Sequence, residues 1–287
     1  MLSQSENILI VALQRSGGKL LRRLLDGHPA VRAVPWEHWQ TRKKGRFPGP
    51  ILTQFETLGP EEKLKITGLS TQMSKKIARR GSQRLEILMQ GLMEDAERCQ
   101  TSGDLYECFA NRYFRQFHGI DPGPRVVNHC GDLALMTPEE LDLVFGPSTK
   151  IRIWRDPRGC YVSWLNAKLI KMKSLDGDEL DEFCTRYERA CDQHSRTPGI
   201  TLKFERLVAD PETCMQSVAS TLGIEFSEVL LTPTTFGRIR NANSSFKRET
   251  GAVDAAAGAD WESRIDPKDR AAIEDRLGNI ILEHSRS

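Results

Sequence analysis

The 287-residue sequence predicts a three-layer α/β/α fold built on a central parallel sheet. Two patterns carry this expectation. Apolar runs of strand length alternate with segments of helical periodicity, and each run closes on turn-forming residues. Composition agrees. With 39% hydrophobic and 28% charged residues the chain can bury a full core without disulfide or metal staples. A mainly disordered chain is excluded, and no apolar run approaches the roughly 18 residues of a membrane span. The start, MLSQSENILIVAL, lacks a basic leader and a small-residue cleavage site, and reads as a strand.

Residues 7–14 (NILIVALQ) form the first expected strand. They end in RSGG, and KLLRRLLDGH follows with Leu20, Leu21, Leu24 and Leu25 on one helical face, Gly27 as C-cap and Pro29 as a stop. Between about residues 56 and 120 the pattern is mostly helical, and predicts a helical insertion. Residues 125–129 (RVVNH) read as a short strand, before a helix capped by Thr137 with Pro138 at its first position. Residues 149–155 (TKIRIWR) predict another strand, DPRGC a turn, and YVSWLNAKLIKMK a helix. Residues 199–207 (GITLKFERL) predict a further strand, and DPETCMQSVASTLG a helix with Pro near its start and Gly at its end. A Ser/Asn-rich loop, NANSSFKRETG, precedes the final helix PKDRAAIEDRLGNIILEHS.

The formal net charge is only +2, but it is unevenly spread. Residues 1–50 carry 9 basic and 3 acidic side chains, whereas residues 251–287 carry 5 basic and 8 acidic. The basic segment is either a solvated surface or a face for an anionic ligand. RKKGR (42–46) and KKIARR (75–80) come without a nucleic-acid-binding signature, so no nucleic-acid partner is expected. The 7 cysteines are odd in number and form no CxxC pair, which fits reduced thiols in a cytoplasmic protein and no metal knuckle.

Two segments carry chemistry. RSGGK follows a strand and opens a helix. Such a turn leaves backbone N–H groups unpaired at a helix start, where they and the helix dipole favour phosphate. Gly17 and Gly18 let the backbone approach an anion, and Arg15 and Lys19 add charge. A magnesium-binding nucleotide loop needs Gly-x4-Gly-Lys-Ser/Thr. Here Leu13 replaces the first Gly and Leu20 the hydroxyl, so the loop suits an anion and not a nucleoside triphosphatase. The plain alternative is a tight turn. In WRDPRGCYVSW, Arg155 closes a strand and Ser163 lies eight residues on, in the next helix. The pair can converge on one phosphate; alternatively Arg155 pairs with Asp156 or Asp210 and Ser163 faces solvent.

Together these segments resemble the sulfotransferase family, which uses 3′-phosphoadenosine 5′-phosphosulfate (PAPS). RSGGKLLRRLLDGHPAV is similar to the family's 5′-phosphosulfate loop, and IRIWRDPRGCYVSW to its 3′-phosphate motif. LKFERLVADPETCMQSVASTLGI resembles its third landmark, and NANSSF its nucleotide-covering loop. The landmarks appear in family order over residues 7–250. The resemblance implies a P-loop-like α/β fold and a single sulfotransferase-like domain over residues 1–287. It implies that Arg15 grips the 5′-phosphosulfate within a cradle of Ser16, Gly17, Gly18, Lys19 and Leu20. Arg155 and Ser163 would hold the 3′-phosphate. Phe204 stands where many members have Tyr, and Ser244, Ser245 and Lys247 would contact the nucleotide from the lid. Glu37, in AVPWEHW beside His38, is near a catalytic Glu of several members, and His129 is near a Lys-Pro pair. Either is a candidate base for a hydroxylated acceptor, His129 alternatively stabilising the leaving phosphate, with Lys19 a further catalytic candidate. Two departures stand out: Gly18-Lys19 replaces the usual Thr-Thr, and the Lys-Pro is absent. The alternative function is a protein that binds the nucleotide without turnover. The acceptor and the oligomeric state are silent in the sequence.

Overall fold

The computed structural model describes residues 7–33, 54–67, 69, 82–119, 125–130, 133–172, 177–240 and 251–286. Five strands form one parallel sheet: β1 (Asn7–Ala12), β2 (Val31–Ala33), β3 (Arg125–Cys130), β4 (Ser148–Trp154) and β5 (Ile200–Lys203), in the order β2-β3-β1-β4-β5. β1 is central and buried along its whole length, as a strand covered on both faces of a parallel sheet must be. Strands two and three lie to one side of β1, and strands four and five to the other. The chain therefore reverses its direction of winding between β1 and β4. In open α/β sheets, the crevice at the carboxyl ends of two such strands is where ligands bind.

Contacts cluster into two compact units. The first comprises residues 1–8, 29–128 and 139–148. It holds β2 and helices α2 (Pro60–Ile66), α3 (Ser82–Ala96), α4 (Ser102–His118) and α5 (Pro138–Phe145). The expected insertion is thus helical where it is described. Its end points are fixed by polar contacts. Buried Lys63 donates from Nζ to the Ala96 and Cys99 carbonyls at 2.9 and 2.8 Å, capping the last turn of α3. Thr101 and Asp104 form a capping box at the start of α4.

The second unit comprises residues 9–28, 129–138 and 149–287, and contains most of the residues considered below. Its helices are α1 (Gly18–Leu25), α6 (Pro157–Met172), α7 (Glu179–Arg196), α8 (Phe204–Ala209), α9 (Pro211–Leu222) and α10 (Pro267–Arg286). A two-stranded hairpin, β6 (Thr234–Thr235) and β7 (Arg238–Ile239), completes it. The helix at 210–223 follows its sequence signals: the Asp210 side chain accepts from the Thr213 amide, and Gly223 closes the helix at φ 60°.

The structure corrects the sequence reading in four places, one being that Pro157–Cys160, expected within a turn, already form the start of α6. The first strand stops at Ala12, two residues early, because the Ser16 amide donates back to the Leu13 carbonyl and closes a turn. The first helix ends at Leu25, with Gly27 at φ 91° beyond Asp26. The expected strand at 199–207 is a four-residue strand followed at once by α8. β5 pairs with β4 only from Ile151↔Ile200 to Trp154↔Lys203. β4 turns away after Trp154, and an edge strand without a ladder has nothing to hold it extended. Strands β2, β6 and β7 were missed, being only two or three residues long.

Candidate functional site

The loop between β1 and α1 occupies the central edge of the sheet. Ser16 fixes it, with its hydroxyl donating to the Leu13 carbonyl at 2.8 Å. Arg15 and Gly17 both take positive φ, 74° and 107°. Gly17 sits at the N-cap of α1 and supplies no side-chain cap, and the first turn holds no acidic residue. Helix geometry leaves the first-turn N–H groups without intrahelical acceptors, so this end presents donors and positive dipole. A β-carbon at Gly17 would lie 2.5 Å from Phe204 Cδ2, and one at Gly18 2.4 Å from His129 Nε2. The glycines therefore let the loop close onto a phenylalanine and a histidine. Lys19 is half-buried, and the Leu20 side chain is buried in the core, so Leu20 offers only its backbone here.

The segment after β4 meets this loop. Asp156 caps α6 by accepting from the Arg158 amide at 2.8 Å, with Pro157 at the first helical position. Two turns into α6, buried Ser163 accepts from Arg15 Nε at 3.0 Å. Arg155 is 5% exposed. Its Nη1 donates to the Arg15 carbonyl at 3.3 Å and its Nη2 to the Ala257 carbonyl at 3.1 Å. Its guanidinium lies 4.4 Å from the centre of the Phe204 ring and 3.8 Å from the Asp260 carboxylate. The Tyr187 hydroxyl on α7 donates to the Arg155 carbonyl at 2.6 Å. Glu205 accepts from the Asp156 amide at 2.9 Å, which ties the start of α8 to the same turn.

Neither alternative reading of Arg155 and Ser163 describes this geometry. Arg155 pairs with neither Asp156, which holds Arg158 at 2.7 Å, nor Asp210, which caps α9; Ser163 is not at the surface. Arg15, Ser16, Gly17, Gly18, Arg155, Ser163, Phe204 and His129 are brought together. Phe204 is buried between Gly17 and Arg155, as a floor under both. Glu37, His38, Ser244, Ser245 and Lys247 lie outside the described residues. Sequence reasoning missed Tyr187, Ala257 and Asp260. Only the Ala-rich stretch around 255 hinted at a structured turn, and it is a 3₁₀ turn at Ala255–Gly258.

His129 lies at the end of β3 and is 4% exposed. Its Nδ1 is buried and makes no hydrogen bond among the described residues. Burial, reinforced by Arg22 and Lys19, drives its pKa down to about 3. The ring is neutral at pH 7. His194, pressed against Trp154 at 4.5 Å, is likewise pushed to about 3 by burial and Arg152. Cys160 is a buried thiol whose pKa burial raises to about 12.

The two histidines set a pH dependence. Their folded pKa values lie below the ordinary value of 6.5, so the unfolded chain binds more protons between pH 6.5 and 3. Their contribution is complete above pH 6.5 and is lost progressively as pH falls toward 3. Urea unfolding at pH 7.5 and 4.5 is expected to show lower stability at the lower pH. His129→Asn should remove roughly half of the histidine-linked slope. An unchanged slope would show that His129 is not buried neutral.

Residues 7–228 match the model of the Sulfotransferase family, more than three-quarters of the chain. The chain belongs to the sulfotransferase family. Among solved structures it is similar to the sulfotransferase domain from the Synechococcus PCC 7002 olefin synthase, at 18% identity and TM-score 0.58, covering 95% of this chain and 94% of that one. It is also similar to the sulfotransferase domain from the curacin biosynthetic pathway, at 15% identity and TM-score 0.54, covering 95% and 97%. No curated protein matches it significantly in sequence. These likenesses establish the P-loop-like α/β fold of a sulfotransferase. Among the described residues, no helix of this sulfotransferase is long and apolar enough to cross a membrane, and no acidic, His or Cys cluster is built to hold a metal.

Proposed function

We propose that this sulfotransferase uses PAPS and acts, in the cytoplasm, on a hydroxyl or amine of a carbohydrate, lipid or small-molecule acceptor. The observation that carries the donor assignment is the meeting of two cationic segments far apart in sequence. Arg15 reaches Ser163, and Arg155 reaches the Arg15 backbone. The donor set suits a doubly phosphorylated nucleotide. It offers two guanidinium groups, a hydroxyl, a lysine and a glycine-lined helix start, and the orphaned His129 Nδ1 marks unused polar capacity beside that start. The family match runs through residues of both compact units, which supports reading residues 1–287 as one sulfotransferase-like domain.

PAPS supplies an activated sulfuryl group, transferred in line to the acceptor with adenosine 3′,5′-bisphosphate as product. Arg15, Ser16, Gly17, Gly18, Lys19 and the Leu20 amide bind and orient its 5′ end. Arg155 and Ser163 hold the 3′-phosphate, on the floor that Phe204 provides. Ser245 and Lys247, which lie outside the described residues, are kept as the further nucleotide contacts that the family resemblance implies. Lys19 and the first-turn amides would stabilise the oxygens where negative charge grows. Glu37 takes the acceptor proton, because a histidine with a pKa of about 3 is a feeble base. As a neutral ring, His129 instead offers an N–H toward the leaving phosphate.

The test is transfer of labelled sulfuryl from PAPS to a panel of hydroxylated acceptors. Glu37→Ala is expected to lower kcat about 100-fold or more while leaving the affinity for adenosine 3′,5′-bisphosphate unchanged. Tight bisphosphate binding with no transfer to any acceptor and no slow donor hydrolysis would favour a nucleotide-binding protein without turnover. Failure to bind the bisphosphate would overturn the assignment.

A further inference from the structure

Arg155 is almost entirely enclosed, and a carboxylate of its own chain lies 3.8 Å from its guanidinium. The 255–265 segment carries that carboxylate and is anchored against the second unit. Ala257, Trp261 and Ile265 are buried, and Asp254 caps the 3₁₀ turn by accepting from the Ala256 amide. The Trp261 ring sits 4.6 Å under the Arg158 guanidinium and against Gly159, where a β-carbon would meet it at 2.8 Å. These anchors hold the Ala257 carbonyl and Asp260 on Arg155. Asp260 lies 3.8 Å from Arg155 Nη2 and 3.2 Å from Arg264 Nη1, the latter one helical turn ahead on the same segment. Phe204 and the Arg15 and Ala257 carbonyls, which also meet Arg155, are neutral.

We propose that Asp260 is a built-in counter-anion for Arg155, displaced by an incoming phosphomonoester and retained by Arg264. The inference rests on the assignment of Arg155 to a 3′-phosphate. A phosphate that reaches a guanidinium must compete with whatever anion already neutralises it, and two anions on one cation repel each other. Asp260 is partly exposed and its longer contact is the one to Arg155, so the carboxylate can shift its charge toward Arg264 without leaving the segment. Asp260 thereby sets how strongly a 3′-phosphate is held, and Arg264 sets how readily Asp260 gives way.

The test is calorimetric titration of the full chain with adenosine 3′,5′-bisphosphate and with AMP, which lacks the 3′ group. Asp260→Asn is expected to tighten the bisphosphate by about fivefold or more and to leave AMP unchanged. Arg264→Ala is expected to weaken the bisphosphate, because Asp260 then loses the nearer of these two cations. The double variant should behave like Asp260→Asn alone. Unaltered thermal unfolding of each variant shows that the fold is kept. If the wild-type chain prefers the bisphosphate to AMP but Asp260→Asn leaves it unchanged or weaker, the counter-anion is overturned. If the wild-type chain shows no such preference, the 3′-phosphate assignment of Arg155 itself fails.

Discussion

Arg155→Ala is expected to weaken adenosine 3′,5′-bisphosphate by on the order of 100-fold, while AMP changes less than about threefold. The asymmetry follows from where the guanidinium lies. It is buried against Phe204 and donates to the Arg15 and Ala257 carbonyls. A charge in such a low-dielectric position is worth more to a phosphate than one at the surface. Arg155→Lys keeps the charge but not the planar fork, and cannot serve two carbonyls and a phosphate together. It is expected to fall between wild type and Arg155→Ala. Arg155→Ala also removes the donor to the Ala257 carbonyl, so thermal unfolding must be followed in parallel. Equal loss of AMP and bisphosphate would remove Arg155 from the 3′ end of the nucleotide.

The second large effect concerns Gly18. Alanine is the better helix former, by up to about 1 kcal/mol over glycine, and a helix-only view predicts that Gly18→Ala stabilises α1. Packing overrules it. The new methyl would stand 2.4 Å from His129 Nε2 and 2.8 Å from the Ala12 methyl, and overpacking of this kind costs about 1–3 kcal/mol. Gly18→Ala is therefore expected to be net destabilising in urea unfolding. His129→Ala empties the tighter side, so the double variant should cost less than the two single variants added together. Simple additivity would mean that the histidine ring does not lie against the helix start.

The parts of this molecule that were legible from sequence are those written locally. β1 is a run of β-branched and apolar residues ending in Arg-Ser-Gly-Gly, and α9 carries Asp-Pro at one end and Gly at the other. β5 misled because Phe204-Glu205-Arg206-Leu207 reads as an extension of ITLK. Their fate is decided by where β4 ends, some 50 positions earlier, and by Glu205 reaching the Asp156 amide. The site shows the same division. Arg15, Gly17, Gly18 and Arg155 announce themselves by residue type beside a strand end, and Ser163 by its spacing from Arg155. Phe204 is chosen for the shape between Gly17 and Arg155, and Tyr187 for one hydrogen bond to a carbonyl. Ala257 acts through its backbone, which no side chain advertises.

α1 is held at its other end as well. The Asp26 carboxylate accepts from the Thr234 hydroxyl at 2.6 Å and from the Gly237 amide at 3.0 Å. Eight residues of helix make a stiff rod of about 12 Å. One tip is bolted to the β6–β7 hairpin, and the other carries the glycine turn. The hairpin's grip on Asp26 therefore helps to fix where the glycine turn stands.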